Sequence, residues 1–430
     1  MSNDAGPPPD ARRNRLAVIA ERATGSVAHD ILAPGLVLTA LVHDLGGGAM
    51  VVGTLEALLV LAGVSQLLTA YRLQREAGRR RFVLRVAGGA LLLLPVLAAV
   101  LWGLAESRPR LVLGLLLGLL FLRWSLTAMC NPALLDLSRK LISPDERHKV
   151  FALRQLAAAA CGVAGAGLTY GVLRGLAMPA NYVVLVLASA AVGALSWLAV
   201  FLMRERGRGP RPQRLDSPRE FVAQLFRLLR PGRGGAAEHR FRHYVAVRHA
   251  VYVSRAAYPF VALYALQGFE VSRATVGLFM VARWGGRLTS GLLLTLVPRL
   301  RRTPQRILRF ALAGTLVGLV CAVATPRWEG LFVTFFLSGA FLEAYLVADP
   351  IFMMAHAPPG REVLGMSLTI VALYPMRILL PLAAGILFAT VGFPVVAAVA
   401  LAGGAVAFAA AGGLHAREQA PPEHPPGAME

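Results

Sequence analysis

Acidic residues are scarce in this 430-residue chain: 23 aspartates and glutamates stand against 44 lysines and arginines, a net charge of +21. Lysine is nearly absent, with only Lys140 and Lys149. The three cysteines, Cys130, Cys161 and Cys321, are isolated. They make no CxxC pair, and HExxH and other metal-ligand spacings are missing, so no metal site is expected. The cysteines read as small hydrophobes in helices. The sequence also lacks GxxxxGKS/T and GxSxG, and it has no Cys–His pair at a membrane face. Those gaps argue against a nucleotide site, a cofactor and an enzyme. Charged residues of both signs are 16% of the chain, where a soluble domain carries about a quarter.

What the chain has in abundance is apolar sequence, 56% of residues with a mean hydropathy of +0.60. It falls in blocks of about twenty, the length that crosses a hydrocarbon core of about 30 Å. A β-barrel would alternate polarity over strands of about ten residues, whereas 111–122 and 395–411 are continuous runs. The expected spans are 28–46, 50–71, 82–104, 110–130, 150–174, 180–203, 243–266, 273–298, 305–325, 330–350, 362–388 and 391–413. The arginines collect in 72–81, 131–149, 204–242 and 299–304, all on one side. The other side holds Arg108, Arg110, Arg174, Arg327 and, at a helix edge, Arg273. The positive-inside rule then places both termini in the cytoplasm of a bacterial-type inner membrane, and an even number of spans follows. Arginine gathered between apolar blocks reads as topology, so nucleic acid is not an expected partner and the lipid bilayer is.

The longest loop divides the chain. The expected parts are a cytoplasmic tail 1–27, a six-helix half 28–203, an arginine-rich linker 204–242, a second six-helix half 243–413 and a tail 414–430. Within the linker, Ser217-Pro218-Arg219-Glu220 followed by Phe221, Val222, Leu225, Phe226 and Leu229 predicts a capped amphipathic helix on the anionic inner leaflet. The halves repeat weakly in parallel. Leu84-Arg85 matches Leu308-Arg309, and Asn131-Pro132 matches Asp349-Pro350. Parallel repeats of this kind belong to transporters that rock around a central site.

The 6+6 layout, the basic turn Gly78-Arg79-Arg80 and the stretch Asn131-Pro132 to Ser143-Pro144-Asp145-Glu146-Arg147 resemble the major facilitator superfamily over about residues 25 to 413. The family's turn usually reads Gly-x-x-x-Asp-Arg-x-Gly-Arg-Arg. Here Tyr71 replaces the first glycine, and Arg75-Glu76 reverses the Asp-Arg charge order, so the chain reads as a divergent member. The resemblance implies alternating access by a secondary transporter, with spans one, four, seven and ten around the cavity and three, six, nine and twelve toward lipid. It also marks Gly78, Arg79, Arg80, Asp145 and Arg147 as cytoplasmic gating positions. Independently, ionisable groups at depth should avoid lipid. The interiors of spans three, six, nine and twelve carry none, apart from Arg85, Arg306 and Arg309 in first turns.

The candidate site is a set of deep arginines in the second half: Arg255, Arg283, Arg287 and Arg377, with Tyr252 and Tyr374 nearby in sequence. Arg248, Tyr252 and Arg255 are spaced to share one helix face. Arginine keeps its charge, so each must be solvated, paired or bound to an anion. Leaving one unpaired costs at least about 2.5 kcal/mol. Glu343 and Asp349 are too few to balance them. Two readings stay open, internal ion pairs and an anion site. In the first half, Glu56 is a proton-carrier candidate or a partner for Arg123, and Arg123 itself reads as an ion-pair or coupling residue. The expected partner is a small solute, anionic on the second reading, moved by a monomer driven by an ion gradient. The alternative from another class is a non-transporting membrane protein of the same fold.

Overall fold

The computed structural model describes residues 10–66, 69, 78–143, 146–205, 223, 236–297, 304–356 and 362–414. Among them the chain is helical, with no strand. The reason is general: apolar stretches this long can bury their backbone polar groups in hydrocarbon only by bonding them internally. The helices are α1 (Ala11–Asp30), α2 (Thr39–Asp44), α3 (Ala49–Gly63), α4 (Arg79–Leu104), α5 (Pro109–Leu141), α6 (Arg147–Gly175) and α7 (Ala180–Leu202), then α8 (Ala236–Val253), α9 (Tyr258–Gly268), α10 (Arg273–Leu296), α11 (Pro304–Ala324), α12 (Gly330–His356), α13 (Glu362–Val391) and α14 (Phe393–Ala410). Eight helical stretches among the described residues are long and apolar enough to cross a membrane.

Two prolines break two rods at matching places. Pro34 has no N–H to offer, and α1 stops at Asp30. The chain resumes as a π-turn, Pro34–Leu38, and runs straight into α2. Pro259 does the same between α8 and α9, where residues 254–257 form turns. The loosened carbonyls find partners. Asp30 O accepts from Ala33 N, Arg255 O accepts from Tyr258 N, and Ala28 O accepts from the Ser189 hydroxyl at 2.6 Å. The two breaks lie against each other: a Cβ on Gly35 would sit 3.3 Å from Pro259 Cα.

Packing shows how the two halves meet. The segment from Pro34 through α2 packs on α9, α10 packs on α6, and α13 packs on α3. The contacts are close because glycines line them. A Cβ on Gly277 would fall 2.6 Å from Tyr170 Cα, and one on Gly385 would fall 2.8 Å from the Ala49 carbonyl oxygen. At the end carrying Leu45 and Phe393, one apolar core joins both halves, from Ile31 and Leu41 to Phe260, Leu263 and Val396. At the opposite end the cores are separate. Val18, Val83, Leu137 and Met203 belong to one, and Tyr244, Leu308, Phe352 and Leu414 belong to the other. The molecule is thus sealed at one end and parted at the other. Large apolar side chains such as Leu92, Trp102, Phe310 and Val406 are exposed on the outside, as a lipid-facing surface requires.

Several expected boundaries move. Residues 11–27 are helix rather than tail. The polar sequence forms helix because α1 is held by polar contacts: Glu21 pairs with Arg154 at 3.0 Å, and Asn14 bonds the backbone of Arg204 at 2.9 Å. The helix expected to start at 243 begins at Ala236. The fourth span runs on to Leu141, well past 130. The amphipathic segment 217–229 lies outside the described residues except for Ala223.

Candidate functional site

Between the halves lies a two-lobed cavity. The deep lobe, about 300 Å³, is walled by both helix breaks and by Glu56, Arg255 and Arg283. The wider lobe, about 550 Å³, extends past Arg123 and Asn131 toward the parted end. His29, Asp30, Arg283 and Arg377 line both lobes. The breaks explain the position. Each brings a charged residue to the middle of the bundle, Asp30 as the last residue of α1 and Arg255 from the turn that follows α8.

The arginines divide into two groups. Arg287 is internally paired, 3.4 Å from Glu343 and 3.7 Å from Asp30, with its guanidinium 4.2 Å above the Trp284 ring. Arg248 is also paired, 2.8 Å from Asp349. Tyr345 lies 3.3 Å from Arg248 Nε, and Tyr244 donates to Asp349 at 2.9 Å. Glu343 and Asp349 are therefore used up. The second group has no carboxylate within 4 Å among the described residues. Arg255 lies 5.7 Å above the Phe341 ring, and Arg377 lies 4.8 Å above Tyr252. Arg283 and the buried Arg123 have no ion pair. Glu56, expected as a partner for Arg123, has no cation within 4 Å among the described residues either; it lines the deep lobe together with Arg283 and Arg255. Tyr374 lines the wider lobe beside Arg377.

The expected shared face of Arg248, Tyr252 and Arg255 does not survive the break. Tyr252 and Arg255 face the cavity, while Arg248 points to Asp349. The helix ends at Val253, so the i, i+7 relation no longer holds. His29 and Asp30 are cavity residues that the sequence reading passed over. The signal available was Pro34, which marks a break at the bundle centre.

At the sealed end a second polar group crosses the halves. Asp44 lies 2.5 Å from Arg273 and accepts from the Tyr182 hydroxyl at 2.7 Å. At the parted end, Gly78 precedes α4 as its cap. Arg79 pairs with Asp136 at 2.9 Å, and Lys140 joins it at 3.2 Å. The Arg80 backbone N–H donates to Glu205 at 3.1 Å, and its guanidinium stacks on Phe201. These contacts tie helices within the first half. Asp145 lies outside the described residues, and Arg147 opens α6.

No family model matches the sequence, and no curated protein does. Solved structures do match. The chain is similar to the nucleoside transporter NupG, with TM-score 0.70 and 11% identity, covering 93% of this chain and 99% of that one. It is similar to the peptide transporter POT in complex with sulfate, with TM-score 0.66 and 15% identity over 93% and 94% of the two chains. It is also similar to a bacterial homologue of the iron transporter ferroportin in an inward-facing state, with TM-score 0.66 and 15% identity over 93% and 97%. With helices throughout the described residues, two broken rods meeting at the centre and a cavity between two halves, the chain has the fold of the major facilitator transporters.

Proposed function

We propose that this chain is a twelve-span secondary active transporter of the cytoplasmic membrane, which moves a small anionic solute by alternating access. Both termini would be cytoplasmic, and the parted end would be the cytoplasmic one, so that the molecule stands inward-open. The basic turns at that end support this orientation. Four further rods bring the eight to twelve: α3 and α12, whose described apolar stretches, Ala49–Gly63 and Gly330–Leu346, are shorter, and α8 with α9 and α10, whose Arg255 and Arg283 face the cavity. A helix with one face on a polar cavity trades apolar length for polar residues, which supports twelve crossings.

The observation that carries the anion reading is the set of four guanidiniums, Arg123, Arg255, Arg283 and Arg377, which face the cavity without a carboxylate. A scaffold or receptor of this fold would gain nothing by keeping such charges unpaired. Guanidinium forks bind carboxylate and phosphate oxygens in pairs. Glu56 is the free carboxylate beside them, and it would carry the coupling proton. When it is protonated it no longer competes with the solute for Arg255 and Arg283.

The test is reconstitution into proteoliposomes with anionic and neutral metabolites. Arg255→Ala and Arg283→Ala should insert normally and lose uptake. Normal transport by both would sink the anion site. Glu56→Gln should keep exchange and lose accumulation driven by a pH gradient. Solute binding by wild type without any flux would favour the receptor alternative.

A further inference from the structure

The charge balance of the cavity limits the solute further. The Asp30–Arg287–Glu343 group carries one net negative charge, and Arg22, a fifth arginine of the wider lobe with no carboxylate within 4 Å among the described residues, balances it in the count. What remains is four guanidiniums and one carboxylate, Glu56, an excess of three positive charges among the described residues. If Glu56 takes a proton, the excess is four. While the cavity is parted at one end, water can solvate these charges. When the halves close over it, water leaves, and every uncompensated charge then bears its desolvation cost. A monoanion would leave at least two guanidiniums uncompensated in the occluded state.

The positions of the four add to this. Arg255 lines the deep lobe alone, Arg123 lines the wide lobe alone, and Arg283 and Arg377 line both. Stacking on Phe341 and Tyr252 holds Arg255 and Arg377 in place without neutralising them. The cationic surface therefore continues from one lobe to the other, rather than forming a single point.

We infer that the solute carries at least two negative charges, as a dicarboxylate or a phosphate monoester does. This rests on the anion reading above and sharpens it. The closing experiment measures thermal stabilisation of the purified full-length protein by matched probes: succinate against butyrate, and glycerol phosphate against glycerate. The dianions should bind about ten- to a hundredfold tighter than their matched monoanions, the factor one added charge-assisted hydrogen bond supplies. An advantage for succinate without one for glycerol phosphate identifies two separate heads, and the reverse identifies one doubly charged head. Arg377→Gln should remove most of the advantage while butyrate binding persists. Arg123→Gln makes the same test from the other lobe if the first variant does not fold. Equal binding of matched mono- and dianions overturns this inference and leaves the anion reading standing. No stabilisation by any anion overturns both.

Discussion

Arg287 shares its charge between two carboxylates on different halves, and that makes the loss of each partner unequal. Its side chain is 10% exposed, Glu343 is 10% exposed and Asp30 is 18% exposed. At separations near 4 Å and an effective dielectric of about 20, each attraction is about 4 kcal/mol before desolvation is counted. Arg287→Gln strands the buried Glu343 and the half-buried Asp30 at once, and breaking a buried pair in this way costs about 3–5 kcal/mol. Glu343→Gln is milder. Arg287 keeps Asp30, and the amide still accepts a hydrogen bond, so the loss is one charge-assisted bond of about 1.5–3 kcal/mol at most. Arg287→Gln should therefore lower the thermal midpoint in detergent more than Glu343→Gln. The double variant leaves only Asp30 unpaired, on the wall of a lobe that Arg22 also lines, so it should be more stable than Arg287→Gln alone. A thermal melt of the four proteins reads all of this. Equal losses from the two single variants, or a double variant whose loss is their sum, would refute the shared-charge account.

Other tests follow from the same contacts. Asp44→Asn should loosen the sealed end; because Arg273 is 44% exposed, the pair is worth at most about 1 kcal/mol, and labelling of a cysteine placed at the buried Ala262 by an impermeant maleimide should rise about two- to fivefold. Unchanged labelling would mean that apolar packing alone seals that end. Gly385→Leu should abolish transport without preventing insertion, since even a Cβ there would stand 2.8 Å from the Ala49 carbonyl and overpacking costs about 1–3 kcal/mol. Gly167→Leu, where nothing lies within 4 Å of the added Cβ, is the matched control and should transport normally. Asp30→Asn removes the one ion pair of Arg287 that crosses the halves among the described residues, so it should raise the accessibility of the sealed end while lowering stability less than Arg287→Gln does; the same maleimide assay checks it.

Much of this molecule was legible in one dimension. Blocks of about twenty apolar residues, arginine on alternate connections and four spans free of deep charge require only that each helix satisfy its own backbone in hydrocarbon. The deep arginines were visible for the same reason, since a charge inside an apolar block stands out wherever the block is placed. Residues 11–27 were not legible as helix, because polar residues buried against Arg154 and Arg204 look like a solvated tail until those partners are in view. The pairings were hidden as well. Nothing near Arg287 in sequence says that Asp30 and Glu343 converge on it, or that Arg255 and Arg283 are left without a carboxylate. Hydropathy belongs to a segment and is set by the sequence alone. Which charges are satisfied depends on which helices face one another across the cavity, and only the packing of the two halves decides that.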